Sequence, residues 1–242
     1  MSSNAVLVIW NSLPFLLVGL FPQGQLGGLA LTVILSVVIG IASLAFGSIL
    51  GLVAALAPSG MRWLAGGLMV VIRGMPALAF LFWIYFLLPR LLGFDLAPLY
   101  SACIALTAYH GSYIAADIRG GVRSVPAGQW EAARAFGLRT LPTLVLIILP
   151  QAFRAVLPSL INRIVNLVIY TSVISILGVL EFTRAAMIVN NRELLYPQYI
   201  FAFVGLVYFV ICYVISMTGK MLERRWAWSP AYNTRSTRSS TP

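Results

Sequence analysis

LALTVILSVVIGIASLAFGSILGLVAALA, residues 29–57, holds no charged side chain and no proline. A helix needs about 20 mostly apolar residues to cross a hydrocarbon core of about 30 Å. The stretch therefore reads as a membrane span, with Gly40, Gly47 and Gly51 supplying small surfaces for a neighbouring helix. Pro58-Ser-Gly60 ends it. Working toward the C-terminus, four more spans are expected: Trp63–Pro89, Leu96–Ile118, Val156–Leu180 and Gln198–Gly219. Toward the N-terminus, Ala5–Phe21 is apolar but broken by Pro14 and followed by Pro22–Gly28. It reads as an interfacial helix and a loop, a sixth span being the alternative. Thr143–Phe153 is apolar, but its 11 residues are too few to cross, so it is expected along the interface. Glu181–Pro197 reads as a polar loop.

Composition supports a membrane protein. Of 242 residues, 60% are hydrophobic and 9% charged, against about 25% charged in an ordinary soluble domain. No Asp, Glu, Lys or Arg precedes Arg62, and none lies between Leu194 and Gly219. The net charge of +10 does not indicate nucleic acid, because the basic residues fall in short groups between apolar runs. They serve topology instead. Arg62, the six arginines from Arg119 to Arg163, Lys220, Arg224, Arg225, Arg235 and Arg238 fall on one side; Arg90, Arg184 and Arg192 fall on the other; Arg73 is intramembrane. The richer side is cytoplasmic by the positive-inside rule, which predicts a periplasmic N-terminus, a cytoplasmic C-terminus and an odd number of spans. Met1–Phe21 lacks the positive n-region of a cleavable signal. Cys103 and Cys212 lie in apolar runs without metal-ligand spacing and read as small core residues.

The longest polar stretch carries Gly128-Gln-Trp-Glu-Ala-Ala-Arg-Ala-Phe-Gly137 and, further on, Ile147-Ile-Leu-Pro150. Gln129–Phe136 is expected to be a slim, alanine-rich helix ended by Gly137 in the left-handed conformation. By spacing alone, Glu131 either pairs with Arg134 at (i, i+3) or faces a partner. Ionisable groups inside spans are functional candidates, because burial costs on the order of 2.5 to 3.5 kcal/mol at a helix centre. Arg73 either attracts a substrate carboxylate, or snorkels to the cytoplasmic interface or braces a neighbouring helix. His110 and Asp117, with Tyr113 between them, share one face of the third span. They either line a pathway, or His110 donates a buried hydrogen bond while Asp117 pairs with Arg119 or Arg123. Glu181 and Arg184 can pair at (i, i+3) on the outer rim, with docking of a binding protein as the alternative reading.

Glu131-Ala132-Ala133, Gly137, Ile147, Leu149 and Pro150 resemble the EAA loop of ABC-importer permeases. Ile72-Arg-Gly-Met-Pro76, Ile118-Arg-Gly-Gly121, Ser124-Val-Pro-Ala-Gly-Gln129, Leu149-Pro-Gln-Ala-Phe-Arg154, Thr171-Ser172 and Gly178-Val-Leu-Glu-Phe-Thr183 look like its polar amino-acid branch, the histidine/glutamine/glutamate/arginine type. The resemblance covers about Leu29 to Arg225. It implies an all-α polytopic fold of about five transmembrane helices, the type I ABC-importer permease (MetI-like) fold. Residues 1–28 would be an N-terminal interfacial or periplasmic segment, 29–225 the permease domain with a cytoplasmic coupling loop at 119–153, and 226–242 a basic cytoplasmic tail. It further implies a transport subunit, not an enzyme, in a bacterial inner membrane. Its partners would be two ATP-binding cassette subunits, a periplasmic amino-acid-binding protein, a second permease copy or a paralogous permease, and lipid, with no nucleic acid. Gln129, Glu131, Ala132, Ala133, Gly137, Ile147, Leu149 and Pro150 would couple to the ATPase. Thr171 and Ser172 join Arg73, His110, Tyr113 and Asp117 as substrate-pathway candidates.

Gly219-Lys220-Met221 lacks the glycine-rich turn of a phosphate loop, so no cofactor is expected on this chain, and ATP and Mg belong to the partner. Departures from the branch fall where substrate contacts are expected. Val70 stands where many members have Glu, Gly111–Ala116 carries no acidic residue before Asp117, and Ile169-Tyr170 replaces a charged pair. The remaining pathway charges lean basic, which favours an anionic or zwitterionic amino acid such as glutamate. The competing readings are a self-contained secondary transporter or channel and a membrane enzyme. The second has one histidine and no HExxH or Gly-x-Ser-x-Gly machinery to work with.

Overall fold

In the computed structural model of the chain, which describes residues 2–194 and 196–226, every regular element is helical. The helices are α1 (Ser2–Val18), α2 (Gly28–Leu56), α3 (Ser59–Arg73), α4 (Ala77–Phe82), α5 (Leu88–Leu92), α6 (Pro98–Ser124), α7 (Ala127–Ala135), α8 (Thr140–Thr143), α9 (Leu149–Thr171), α10 (Phe182–Glu193) and α11 (Pro197–Trp226). Residues 227–242 of the expected basic tail lie outside the described residues. Among the described residues, three helical stretches are long and apolar enough to cross a membrane: Gly28–Leu56, Thr140–Leu177 and Pro197–Arg225. A bent pair, α3 with Ala77–Leu92, makes a fourth. The 27-residue α6 occupies the place of the expected third span. Its length of about 40 Å is ample. It is less apolar because it packs among α2, α3, α4 and α9, burying Ser101, His110 and Ser112.

Three expected segments need correction. Trp63–Pro89 is not one rod: α3 and the following helix meet at 106°. Pro76 has no N–H to continue the α3 ladder and instead caps α4. Thr143–Phe153 is not a separate interfacial helix either, because Thr140–Leu177 runs through it for 38 residues. A π turn at Leu144–Ile148 precedes Pro150, and another at Trp83–Leu87 precedes Pro89. Widening the helix just ahead of a proline relieves its clash with the preceding turn. Finally, Glu181–Pro197 is mostly the helix α10, not a loop.

Glu181 is itself fully buried rather than on an outer rim. Its carboxylate caps α10, accepting from the backbone N–H of Arg184 at 2.7 Å and of Thr183 at 2.9 Å, and from the Tyr208 hydroxyl of α11 at 3.2 Å. Arg184 thus contributes its backbone, not an ion pair. Thr32 of α2 accepts from the Phe182 N–H at 3.0 Å, and Gly28 N–H donates to Leu180 O at 2.9 Å. Burial pushes the Glu181 carboxyl up, and these donors pull it back. The N-terminal helix α1 runs through Pro14 and lays Leu16 against Phe182, Ala185 and Ala186.

Within lipid, apolar helices gain little from merely touching, so close backbone approach decides packing. The buried face of α2 is Thr32, Leu35, Ile39, Ser43, Gly47, Gly51 and Ala54, a three-to-four-residue period laid along α6. A Cβ on Gly47 would stand 2.6 Å from Gly111 O, and one on Gly51 2.6 Å from Ala115 O. Gly40 has open space instead and takes no part. Gly47→Leu should therefore lower the apparent melting temperature of the detergent-solubilised protein, while Gly40→Leu leaves it unchanged. Equal effects of the two would refute this contact as the reason for the glycines.

Candidate functional site

Two regions gather the residues that chemistry would use. The first is the polar centre between α6 and α9. His110, Tyr113 and Asp117 follow one another along one face of α6. Asp117 meets α9 rather than Arg119 or Arg123: its Oδ2 accepts from Ser159 Oγ at 2.6 Å and Arg163 Nε at 2.8 Å, and its Oδ1 from Arg163 Nη2 at 3.2 Å. This two-pronged pairing suits the planar guanidinium. Arg163 also lies over the Tyr113 ring, its Cζ 4.8 Å from the centroid. Arg73, at the end of α3, reaches the same ring at 5.8 Å while its Nε donates to Met69 O at 3.2 Å. It braces the neighbouring helix and does not project freely.

His110 is 3% exposed, edge-on to Tyr170 at 5.2 Å and to Tyr109 at 5.7 Å. Its Nε2 has no hydrogen-bond partner among the described residues, so the expected buried donation from that atom is not made. The structure thus brings Arg73, His110, Tyr113 and Asp117 together and adds Arg163, Ser159, Tyr109 and Tyr170. Thr171 and Ser172 do not join them; their hydroxyls bond back to Val168 O and Ile169 O. By sequence alone Arg163 groups with the topology-setting charges. Its seven-residue spacing from Tyr170 was the available signal, since both then share a helix face.

The second region is the polar loop. Pro126 precedes α7 and Gly137, at φ 77°, follows it. Gly137 N–H bonds to Arg134 O at 2.9 Å and Leu138 N–H to Ala133 O at 3.0 Å. Only glycine adopts that left-handed turn without steric cost. Ala133 is 2% exposed. Half-buried Trp130, Ile147 and Leu149 pack on Val122, Val125, Ile148 and Ala152, so α7 rests on the end of α6 and the start of α9. Glu131 and Ala132 face outward, and Glu131 makes no ion pair with Arg134. Gln129 accepts from Gln151 Nε2 at 3.4 Å. Pro150 is exposed beyond the π turn. Phe136, which no sequence motif singles out, is 86% exposed at the tip of α7 beside the Gly137 turn. A cavity of about 800 Å³ opens next to this loop, lined by Gln129, Gln151, Arg154, Pro158, Glu223 and Arg224.

Residues 47–228 match the family model for the binding-protein-dependent transport system inner membrane component. The chain is 36% identical over 203 residues to the L-cystine transport system permease protein TcyB of Bacillus subtilis (strain 168), covering 82% of this chain and 85% of that protein. It is 32% identical over 223 residues to the glutamate/aspartate import permease protein GltK of Escherichia coli O157:H7, covering 89% and 95%. Among solved structures, an amino acid ABC transporter with histidines superposes with a TM-score of 0.74 at 27% identity, over 82% of this chain and 92% of that one. The inward-facing MetNI methionine ABC transporter shares the fold, with a TM-score of 0.70 at 18% identity over 81% and 93%.

The pairing of Asp117 with Arg163 is open to a double-mutant cycle with Asp117→Asn and Arg163→Gln, read from melting of the purified protein. Directly bonded charges should couple by about 0.5–3 kcal/mol. A coupling near zero would show that the two groups act independently.

Proposed function

The chain belongs to the family of binding-protein-dependent transport system inner membrane components, and on that premise we propose that it is the permease of an ATP-driven importer of polar amino acids. It is a multi-pass inner-membrane transport subunit. In this reading the ATP is hydrolysed on two separate cassette subunits, a periplasmic binding protein delivers the substrate, and a second permease completes the pore. The observation that carries it is the build of α7: one face is held, with Ala133 buried and Trp130 packed on the cluster of Val122, Val125, Ile148 and Ala152, while Glu131, Ala132 and Phe136 are left outward. A helix held on one side and free on the other can take up a partner's movement and pass it on. Closure of an ATPase dimer against α7 would then bias the spans between inward-open and outward-open states, and the ligand-linked shift equals the differential affinity of the partner for the two states. This orientation puts the loop and the C-terminus in the cytoplasm and the N-terminus in the periplasm.

The substrate reading rests on charge. Arg73 and Arg163 both approach the Tyr113 ring, and the one carboxylate paired there, Asp117, is taken by Arg163. The surplus guanidinium favours a substrate with a free carboxylate, an acidic or zwitterionic amino acid, over a cationic one.

Glu131→Arg and Gly137→Val should each abolish uptake and uncouple stimulation of the ATPase by binding protein while the chain still inserts. Normal uptake by either variant in reconstituted vesicles would refute the coupling role. Separately, Arg73→Leu should reduce uptake of an acidic amino acid at least as strongly as that of a neutral one, measured by competition in the same vesicles; a selective loss of cationic substrate would reverse the charge argument.

A further inference from the structure

Helices α9 and α11 are in close contact at one level, where a Cβ on the buried Gly219 would overlap the side chain of Ile161. One turn earlier on α9, at Leu157 and Pro158, and one turn later on α11, at Glu223 and Arg224, a cavity of about 800 Å³ opens between them beside α7. Two guanidinium groups enter it from different helices, Arg154 from α9 and Arg224 from α11, together with the Glu223 carboxylate. The one ion pair among the described residues lies elsewhere, so Glu223 neutralises neither arginine by direct pairing. Lys220, one turn before Arg224 on the same face of α11, and Arg225 are exposed as well. The helix from Arg154 to Leu177 is long enough to cross a hydrocarbon core of about 30 Å. Arg154 therefore stands at the edge of that core, level with the charged end of the Pro197–Arg225 span. Headgroups lie at this depth.

We propose that the cleft between α9 and α11 binds the headgroup of an anionic phospholipid, its phosphodiester held between Arg154 and Arg224 and the start of its chains resting on Pro158. A planar guanidinium can bond two phosphate oxygens at once, and two such groups converge on the cleft. Two arginines against one glutamate leave a surplus positive charge, which Lys220 and Arg225 increase, so an anionic headgroup is favoured over a zwitterionic one. Basic pockets between membrane helices take such headgroups. Glu223 has a role in the same arrangement, since the hydroxyls of a glycerol headgroup are donors to a carboxylate. Free phosphate shares the anionic chemistry but makes no use of the apolar wall of Val125, Leu157 and Pro158. Because Gln129 of α7 lines the cleft too, one bound headgroup touches α7, α9 and α11. The binding does not depend on which solute is transported or on the partner's ATP.

Melting of the purified full-length chain in a neutral detergent, titrated with dimyristoyl phosphatidylglycerol, dimyristoyl phosphatidylcholine or inorganic phosphate, tests the site. Phosphatidylglycerol should raise the apparent melting temperature to a plateau, while phosphatidylcholine and inorganic phosphate leave it unchanged. The double variant Arg154→Gln/Arg224→Gln should raise the half-saturating phosphatidylglycerol concentration about tenfold or more, the scale of losing a hydrogen bond to a charged group. Ala155→Trp, which fills the cleft and keeps both arginines, should do the same, and it decides the matter if the double variant fails to fold. Arg139→Gln removes a basic residue of the same loop outside the cleft and should change nothing. An equal shift with phosphatidylcholine would overturn the charge argument, and an equal shift with inorganic phosphate would give the site to a free anion. Undiminished phosphatidylglycerol binding by Ala155→Trp would show that the lipid binds elsewhere. A loss in Arg139→Gln as large as in the double variant would reduce the effect to general surface charge, and a shift with glutamate in place of phosphatidylglycerol would make the cleft an amino-acid site.

Discussion

The Asp117–Arg163 pair is the one ion pair among the described residues, and it ties α6 to α9. It does so by two nitrogen–oxygen contacts, with Ser159 adding a third donor to the same carboxylate. In the low dielectric between membrane helices, an ion pair is retained only when its remaining hydrogen-bonding positions are also filled. Here they are largely filled, and Tyr113 lends its ring face to the guanidinium. Since α7 connects the end of α6 to the start of α9 through a short α8 and a π turn, tying α6 to α9 closes the unit.

Around that unit, the chain handles its prolines and its buried acid by the same rule, that every backbone group in an apolar setting must find a partner. Pro76 coincides with a full break between two helices, whereas Pro89 and Pro150 are absorbed by π turns just before them. The difference is local. Gly74 and Met75 end α3 before Pro76, so the helix had already stopped, while the runs before Pro89 and Pro150 are uninterrupted aromatic and aliphatic side chains that favour continuing the rod. Glu181 is the complementary case: a carboxylate placed where two backbone N–H groups of α10 point, with the hydroxyls of Thr32 and Tyr208 linking α2 and α11 to the same cap.

Much of this was legible in the residues. The spans at 29–57 and 198–219 follow from uncharged length, and the slim helix at 129–136 with its left-handed Gly137 follows from alanine content and a terminal glycine. Other features escaped local reading. Gly40 and Gly47 are indistinguishable in pattern, yet only Gly47 meets α6, because helix phase relative to a neighbour is not written in either helix alone. Glu181 looked like a surface acid beside Arg184, since spacing cannot tell a side-chain ion pair from a backbone cap. Arg163 looked like one more positive-inside charge, and its partner lies 46 residues away.

The sequence by itself determined that this is a polytopic helical membrane protein with a charged loop between its third and fourth apolar runs, because hydrocarbon thickness and the cost of charge in lipid act on each stretch separately. Only the tertiary structure decided which polar groups meet. Asp117 with Arg163, Glu181 with Tyr208 and Thr32, and Arg154 with Arg224 about one cleft depend on rotations and close approaches between helices distant in the chain, which no single segment specifies.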